Sequence, residues 1–144
     1  MQAKHVLKDA KIFVCFAHLM QVEELSFMTQ KSEPIQFTIQ PSTFELYSFI
    51  PFTKLGGSIK FAPIGLTNMF NSGGTILDLE YVESGAKIKV KGGGNFLAYS
   101  SDSPKKFQLN GSDVDCEWLS DGKLSLNVPW IESACGVSDL SILF

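Results

Sequence analysis

The residues with the most potential for chemistry are three acidic side chains spaced two apart, Asp113, Asp115 and Glu117. Hydrolysis or transfer of a sugar needs two carboxyl groups that face each other across the reacting bond, about 5 to 9 Å apart. These three alternate with less polar residues such as Val114 and Trp118, which predicts that they share the solvated face of one strand. On that face no burial would raise the pKa of a carboxyl, as a general acid requires. We therefore predict no catalytic residue in this chain.

The sequence gives equally little support to nucleophilic, metal or phosphate chemistry. It contains no Gly-x-Ser-x-Gly nucleophile elbow, and its two histidines, His5 and His18, lie in the N-terminal stretch. Its cysteines, Cys15, Cys116 and Cys135, form no Cys-x-x-Cys pair, so we interpret them as reduced thiols of a cytosolic protein. The two glycine-rich turns are Asn71–Gly74 and Gly92–Gly94, and neither is followed by the Gly-Lys-Ser/Thr of a phosphate-binding loop. We predict no metal and no cofactor.

Charge and hydropathy argue against nucleic acid and membrane partners. All 12 basic residues are lysine, so the bidentate fork that arginine offers to phosphates and guanine edges is absent. The cluster Lys87, Lys89 and Lys91 sits at every second position, which is typical of the solvated face of a strand. The apolar run Ile12–Met20 is shorter than the roughly 20 residues that cross a bilayer. We expect it to contain the first strand.

Two tryptophans offer flat apolar faces of the kind that carbohydrate-binding modules present to a sugar ring, although a β-sandwich core also needs aromatic side chains. Trp118 alternates in phase with Val114 and Cys116, which favours a place in the core. Trp130 follows Pro129 and fits no obvious core pattern, so both alternatives stay open for it. We name Trp130 as a candidate sugar contact.

The elements that must position these residues are short strands. At 144 residues the chain is too short for a (β/α)₈ barrel, which takes about 250. Alternating runs recur between turn signals, as in Ile35–Gln40, Ala86–Lys91 and the Asn110-Gly111 hairpin, and indicate an all-β antiparallel sandwich or barrel. We predict an atypical N-terminal extension over residues 1–21, non-native or partly the first strand, and a single β domain over 22–144.

One segment fits neither a helix nor a strand. In Lys60–Gly74 the apolar residues are interrupted by Pro63 and Gly65, and the segment ends in the turn-forming sequence Asn71–Gly74. We predict an irregular apolar loop, and such a loop would expose a hydrophobic patch unless something covers it. A strand is expected to start directly after it, at Thr75.

Several long stretches carry a resemblance to a known family. They are Ser32–Phe49, Phe61–Gly74, Ala86–Gly94, Phe96–Ser101, Pro104–Lys106, Gly122–Leu124 and Asn127–Trp130. From about Val22 to Phe144 the chain resembles the C-terminal end of the plant raffinose synthase and stachyose synthase group, which belongs with the α-galactosidase-like glycoside hydrolase family 36. Met1–Gln21 does not match well.

The resemblance implies a C-terminal β-sandwich of a plant enzyme that moves a galactosyl group from galactinol to sucrose or raffinose. In that family the catalytic aspartates lie in an upstream (β/α)₈ barrel, and no position here matches their motifs. The implied partner is therefore this missing catalytic barrel. We expect the apolar residues of the irregular segment to pack at the junction between sandwich and barrel; they are Phe61, Ile64, Leu66, Met69 and Phe70.

The leading hypothesis is thus a non-catalytic fragment of a cytosolic galactosyltransferase that braces the barrel. The alternative is a stand-alone carbohydrate-binding module that holds an oligosaccharide at Trp130. A complete enzyme of another type is the third hypothesis.

Overall fold

Strands make up nearly all the regular structure in the computed structural model, which describes residues 12–18, 23–29, 31–34, 36 and 38–144, with 12–18 and 23–24 described by their backbone alone. In chain order the strands are β1 Ile12–His18, β2 Glu23–Thr29, β3 Leu46–Pro51, β4 Thr53–Leu55, β5 Ile59–Leu66, β6 Ile76–Val82, β7 Gly85–Lys91, β8 Gly94–Ser100, β9 Lys106–Leu109, β10 Ser112–Asp113, β11 Glu117–Trp118, β12 Lys123–Val128 and β13 Val137–Leu143. Two 3₁₀ turns, Gly73–Thr75 and Glu132–Ala134, complete the list. Within these described residues no helix has the length and hydropathy needed to cross a membrane.

Residues 1–52 form the first of two compact units. Its three strands form an antiparallel sheet in the order β2-β1-β3, so the strand expected in the N-terminal apolar run is present as β1. The strand predicted at Ile35–Gln40 is absent at the described positions Gln36 and 38–40, which belong to no strand; Ile35 and Phe37 lie outside the described residues. The predicted boundary between residues 21 and 22 also lies outside them.

Residues 53–144 form the second unit, a sandwich of two five-stranded antiparallel sheets. The first sheet has the order β11-β12-β8-β5-β4 and the second the order β10-β9-β13-β7-β6. Buried apolar side chains from both sheets meet in one core, among them Phe61, Phe96 and Leu124 from the first and Ile88 and Ile142 from the second. The predicted all-β antiparallel sandwich is confirmed.

Strand β7 shows the alternation that the lysine pattern predicts. Its apolar side chains are buried and its lysines are exposed. Lys87 Nζ lies 3.6 Å from Glu80 Oε2, and Lys89 Nζ lies 3.5 Å from Asp139 Oδ1. The three lysines therefore line a solvated face, and Lys87 and Lys89 pair with carboxylates on neighbouring strands.

The prediction of an irregular loop is wrong for the first half of its segment, because Ile59–Leu66 is a strand between β4 and β8. Proline is tolerated here since β4 pairs with β5 only as far as Phe61, so Pro63 has no neighbour on that side. The register with β8 shifts between Pro63 and Gly65, and Gly65 has φ +105°. This bulge disturbs the alternation that a regular strand would show in the sequence.

The Asn110-Gly111 hairpin forms as predicted, with φ +51° and +82° at the two turn residues, the signs that a type I′ turn requires. The continuous strand expected after it is wrong, since β10 ends at Asp113 and Glu117–Trp118 pairs with β12 in the other sheet. The intervening residues cross from one sheet to the other. The alternation of polar and less polar residues continues through the crossing, so the sequence does not show where the strand ends.

Candidate functional site

A surface hollow of about 330 Å³ in the second unit brings together three segments that are distant in sequence. The loop after β5 contributes Met69 and Asn71, the end of β7 and the turn that follows it contribute Lys91 and Gly92, and the segment after β12 contributes Trp130. Trp130 was the candidate sugar contact and Met69 a candidate interface residue, so the structure joins two separately predicted positions.

The loop after β5, residues 67–75, is tied to the bulge of that strand. The buried backbone N–H of Leu66 donates to Thr75 Oγ1 at 3.0 Å, and the Thr75 hydroxyl donates to the carbonyl of Ser72. At Gly65 an added Cβ would lie 1.9 Å from that same carbonyl oxygen. Only glycine lets the loop lie this close to the strand, so the bulge fixes the position of the wall that carries Met69.

The glycine turn Gly92–Gly94 allows two side walls to approach each other. An added Cβ at Gly92 would lie 3.0 Å from Met69 Cε, and one at Gly93 would lie 2.9 Å from the backbone nitrogen of Trp130. The amide of Asn68 donates to the carbonyl of Gly93 at 3.0 Å. The turn is therefore a spacer between the loop and the tryptophan rather than a phosphate cradle.

Trp130 is 59% exposed, although its ring is supported from one side. A Cβ added at Gly136 would lie 2.3 Å from the ring atom Cζ3, so the ring rests on the Gly136 backbone. Gly136 is held in turn, because its N–H donates to the carbonyl of Ile131 at 2.8 Å and its carbonyl accepts from Gly92 N at 2.8 Å. The tryptophan thus offers an open aromatic face on a fixed support.

Lys91 is the charged residue among those that line the hollow. Its side chain is exposed and takes part in none of the ion pairs found among the described residues. Among the residues that the structure describes, no cluster of His, Cys, Asp and Glu could hold a metal ion. An aromatic face beside an ammonium and an amide is suited to binding a ligand, whereas no carboxyl group is among the residues that line the hollow.

The three acidic residues of the sequence motif lie away from this hollow, and all are exposed, as the alternation predicts. Asp113 Oδ1 accepts a hydrogen bond from Gln108 Nε2 at 2.7 Å and lies 3.1 Å from Lys106 Nζ. These contacts lower the pKa of Asp113 below its ordinary value, with the Gln108 hydrogen bond as the larger cause. A general acid needs the opposite shift.

A second hollow, of about 270 Å³, lies on the solvated face of β6, β7 and β13. Its lining includes Glu80 and Asp139, the carboxylates that pair with Lys87 and Lys89. This hollow is a salt-bridged surface.

The five candidate interface residues do not form one surface. Phe61, Ile64 and Leu66 are fully buried in the core of the second unit, whereas Met69 is 39% exposed and Phe70 is 69% exposed. The two exposed residues follow each other at the tip of the loop after β5. The interface stays a prediction for Met69 and Phe70, and side chains with no exposed surface cannot contact another domain without unfolding.

The remaining sequence candidates have structural places. Trp118 is half-buried against the core and its Nε1–H donates to the carbonyl of Ser100 at 3.3 Å, while Cys116 packs on the same core and burial raises its pKa. Sequence reasoning missed Lys91 and Asn71 as lining residues. Lys91 was assigned to a solvated lysine face and Asn71 to a turn, and both assignments are correct locally.

Comparison with known proteins places the chain in a family. The family model described as raffinose synthase or seed imbibition protein Sip1 matches residues 6–128. The chain is 80% identical over 127 residues to a stachyose synthase of Pisum sativum, which covers 88% of this chain and 15% of that protein. It is 46% identical over 127 residues to a probable galactinol–sucrose galactosyltransferase 4 of Arabidopsis thaliana, covering 86% of this chain and 14% of that protein. A galactinol–sucrose galactosyltransferase of Oryza sativa subsp. japonica is 32% identical over 124 residues, 81% of this chain and 16% of that protein.

The chain thus spans about one seventh of the length of these relatives. The family match ends at residue 128 and covers β structure in both compact units. It includes the loop after β5 and the glycine turn Gly92–Gly94. The extent of the family match and the identity to its named members show that this chain belongs to the raffinose synthase or seed imbibition protein Sip1 family.

Proposed function

We propose that this chain is the C-terminal, non-catalytic β region of a plant galactosyltransferase that transfers galactose from galactinol to raffinose or sucrose. The observation that carries the proposal is the 80% identity to the stachyose synthase of Pisum sativum over 88% of the chain. Identity at this level over 127 residues preserves a fold and nearly all of its core. The relatives' names supply the galactosyl chemistry.

The chemistry of the described residues supports a non-catalytic role. All three residues of the densest acidic set are exposed, and the pKa of Asp113 is lowered where an acid catalyst needs it raised. The acidic residues of the other hollow pair with lysines. The hollow at Trp130 offers aromatic and cationic groups and no carboxylate.

We further propose that the region braces the catalytic barrel of the parent enzyme through the tip of the loop after β5. Phe70 and Met69 are exposed there next to each other, and the loop itself is anchored by Thr75. Burying an exposed phenylalanine releases about 25 cal/mol for each Å² of apolar surface removed from water. A rigid loop with an apolar tip suits a contact between domains because little conformational freedom is lost when it docks.

The proposal includes a cytosolic location, which the unpaired thiols of Cys116 and Cys135 favour. The alternative of a stand-alone carbohydrate-binding module is less favoured, because the relatives that match this chain are named as a stachyose synthase and as galactinol–sucrose galactosyltransferases. Sugar binding at Trp130 is compatible with both.

A transfer assay tests the proposal. The purified chain is incubated with galactinol and raffinose, and stachyose is measured by chromatography against the stachyose synthase of Pisum sativum as the positive control. We expect stachyose from the control. We expect none from the chain at any of the protein concentrations used for the control. Stachyose formation in proportion to the amount of chain would show that the region is catalytic and would overturn the proposal.

A further inference from the structure

We propose that the hollow at Trp130 is a non-catalytic binding site for a neutral galactosyl oligosaccharide, in which the indole stacks on one sugar ring. The site itself is inferred from the geometry of the hollow. The choice of a galactosyl sugar rests on the proposed function.

The first argument is the contrast between the two tryptophans. Trp118 is half-buried on the core and its N–H donates to a carbonyl, as expected for a structural tryptophan. Trp130 is 59% exposed and is held against Gly136 at an open face. A pyranose ring presents a row of C–H groups on one side, and these pack well on the electron-rich face of an indole.

The second argument is that the platform is fixed before any ligand arrives. Gly136 lies under the ring, Gly93 lies against the Trp130 backbone, and Gly92 and Gly136 are joined by a 2.8 Å backbone hydrogen bond. A ligand that stacks on this ring therefore has little side-chain motion to suppress. Preorganisation of this kind is what lets a shallow site bind a small, well-hydrated ligand.

The third argument is the polar rim, since a sugar that leaves water needs partners for its hydroxyl groups. Asn71 Oδ1 accepts from the N–H of Gly74 at 3.2 Å, which orients the amide so that its Nδ2 group is left as a donor. Lys91, which also lines the hollow, adds an ammonium with three donors. The volume of about 330 Å³ lies at the lower end of the roughly 300–1,000 Å³ typical of small-molecule sites, enough for one or two sugar rings.

The inference is tested by labelling the full chain with 5-fluorotryptophan and titrating it with raffinose or stachyose while the ¹⁹F NMR spectrum is recorded. The sequence contains two tryptophans, so two signals are expected, and Trp130→Phe assigns them. We expect the Trp130 signal to shift and saturate while the Trp118 signal stays in place. No shift of the Trp130 signal at sugar concentrations close to the solubility limit would overturn the inference. Equal shifts of both signals would overturn it as well.

Variants measured by isothermal titration calorimetry give a second, independent readout. Trp130→Ala is expected to raise the Kd at least about tenfold, equivalent to about 1.4 kcal/mol, and Trp130→Phe to restore part of the affinity. Lys91→Gln, at an exposed position, tests the rim without touching the indole and is expected to weaken binding several-fold. Leu119→Ala is the matched control, because Leu119 is an exposed apolar residue outside the hollow and its loss should leave the Kd unchanged. Unchanged binding in both Trp130→Ala and Lys91→Gln would refute the site.

The sugar class has its own arm. Maltotriose, which contains no galactose, is expected to bind more weakly than raffinose, and equal binding of the two would overturn the galactosyl preference. The binding measurements and the transfer assay are separate readouts. A chain that binds raffinose and makes no stachyose supports both proposals. A chain that makes stachyose and binds no sugar at Trp130 would contradict both.

Discussion

The hydroxyl of Thr75 is predicted to be worth about 1–3 kcal/mol to the free energy of unfolding. Thr75 is buried, and beyond the end of β4 its hydroxyl accepts the hydrogen bond from the N–H of Leu66 in β5 that a neighbouring strand would otherwise accept. The change is Thr75→Val, which keeps the volume and the branched shape of the side chain and removes the hydrogen-bonding group. The same change loosens the loop that carries Met69 and Asn71.

The magnitude comes from counting the groups that lose their partner. The N–H of Leu66, a fully buried residue, donates to Thr75 Oγ1 at 3.0 Å and loses this acceptor. The carbonyl of Ser72 loses one bond and keeps another, since it also accepts from the backbone N–H of Thr75 at 3.1 Å. One buried group is therefore left unsatisfied, at a cost of about 1–3 kcal/mol. Thr75→Ser keeps the hydroxyl and loses one methyl group, about 0.8 kcal/mol.

Urea unfolding followed by circular dichroism measures both variants against the parent chain. Ser138→Ala is the control, because the hydroxyl of Ser138 is buried and has no hydrogen-bond partner among the described residues. Its removal is expected to change stability by less than about 0.5 kcal/mol or to increase it. A Thr75→Val variant as stable as Thr75→Ser would refute the anchoring role of the hydroxyl.

Three further predictions concern the bulge, the loop tip and the acidic turn. Gly65→Ala is expected to destabilise the chain by about 3 kcal/mol or more in urea unfolding, because its Cβ would meet the Ser72 carbonyl oxygen at 1.9 Å with φ at +105°. Phe70→Ser is expected to lower the tendency of the chain to self-associate at high concentration, measured by analytical ultracentrifugation, because it removes an apolar side chain that is 69% exposed. The Asp113 carboxyl is expected to titrate below 3.8 by NMR and to move upward in Gln108→Ala; because its folded pKa is depressed, the stability it provides at neutral pH is lost as the pH falls through that lowered value.

The parts of the fold that sequence predicted best are those with undisturbed alternation. The residues of β7 alternate strictly between apolar side chains and lysine, and the Asn110-Gly111 pair dictates one turn type. In such segments local sequence and tertiary structure agree. The sandwich class follows from several segments of this kind in one chain.

The failures coincide with bulges and crossings. In β5 the bulge at Gly65 breaks the alternation, so a central strand resembles a loop. In β6 the register with β7 shifts between Ile76 and Asp78, and Leu77 is 52% exposed while Ile76 and Leu79 are half-buried, so burial does not follow a two-residue alternation there. Where a strand shifts phase, the sequence carries no signal of which residues change sides.

The hollow was half predictable. Trp130 was singled out because it fits no strand pattern, and residues outside strand patterns are free to face a ligand. Its neighbours Lys91 and Asn71 come from segments that are far away in sequence, and they meet it only because three glycines let the walls close in. Contacts of that kind depend on the whole topology.

The most direct test of the central claim is an exchange of segments in the stachyose synthase of Pisum sativum. The 127 residues of that enzyme that match this chain are replaced by the corresponding residues of this chain, and stachyose formation from galactinol and raffinose is measured. The account predicts that the chimaera keeps the activity of the parent enzyme within about tenfold, because the exchanged region supports the fold and contributes no catalytic group. A folded chimaera without transfer activity would contradict it.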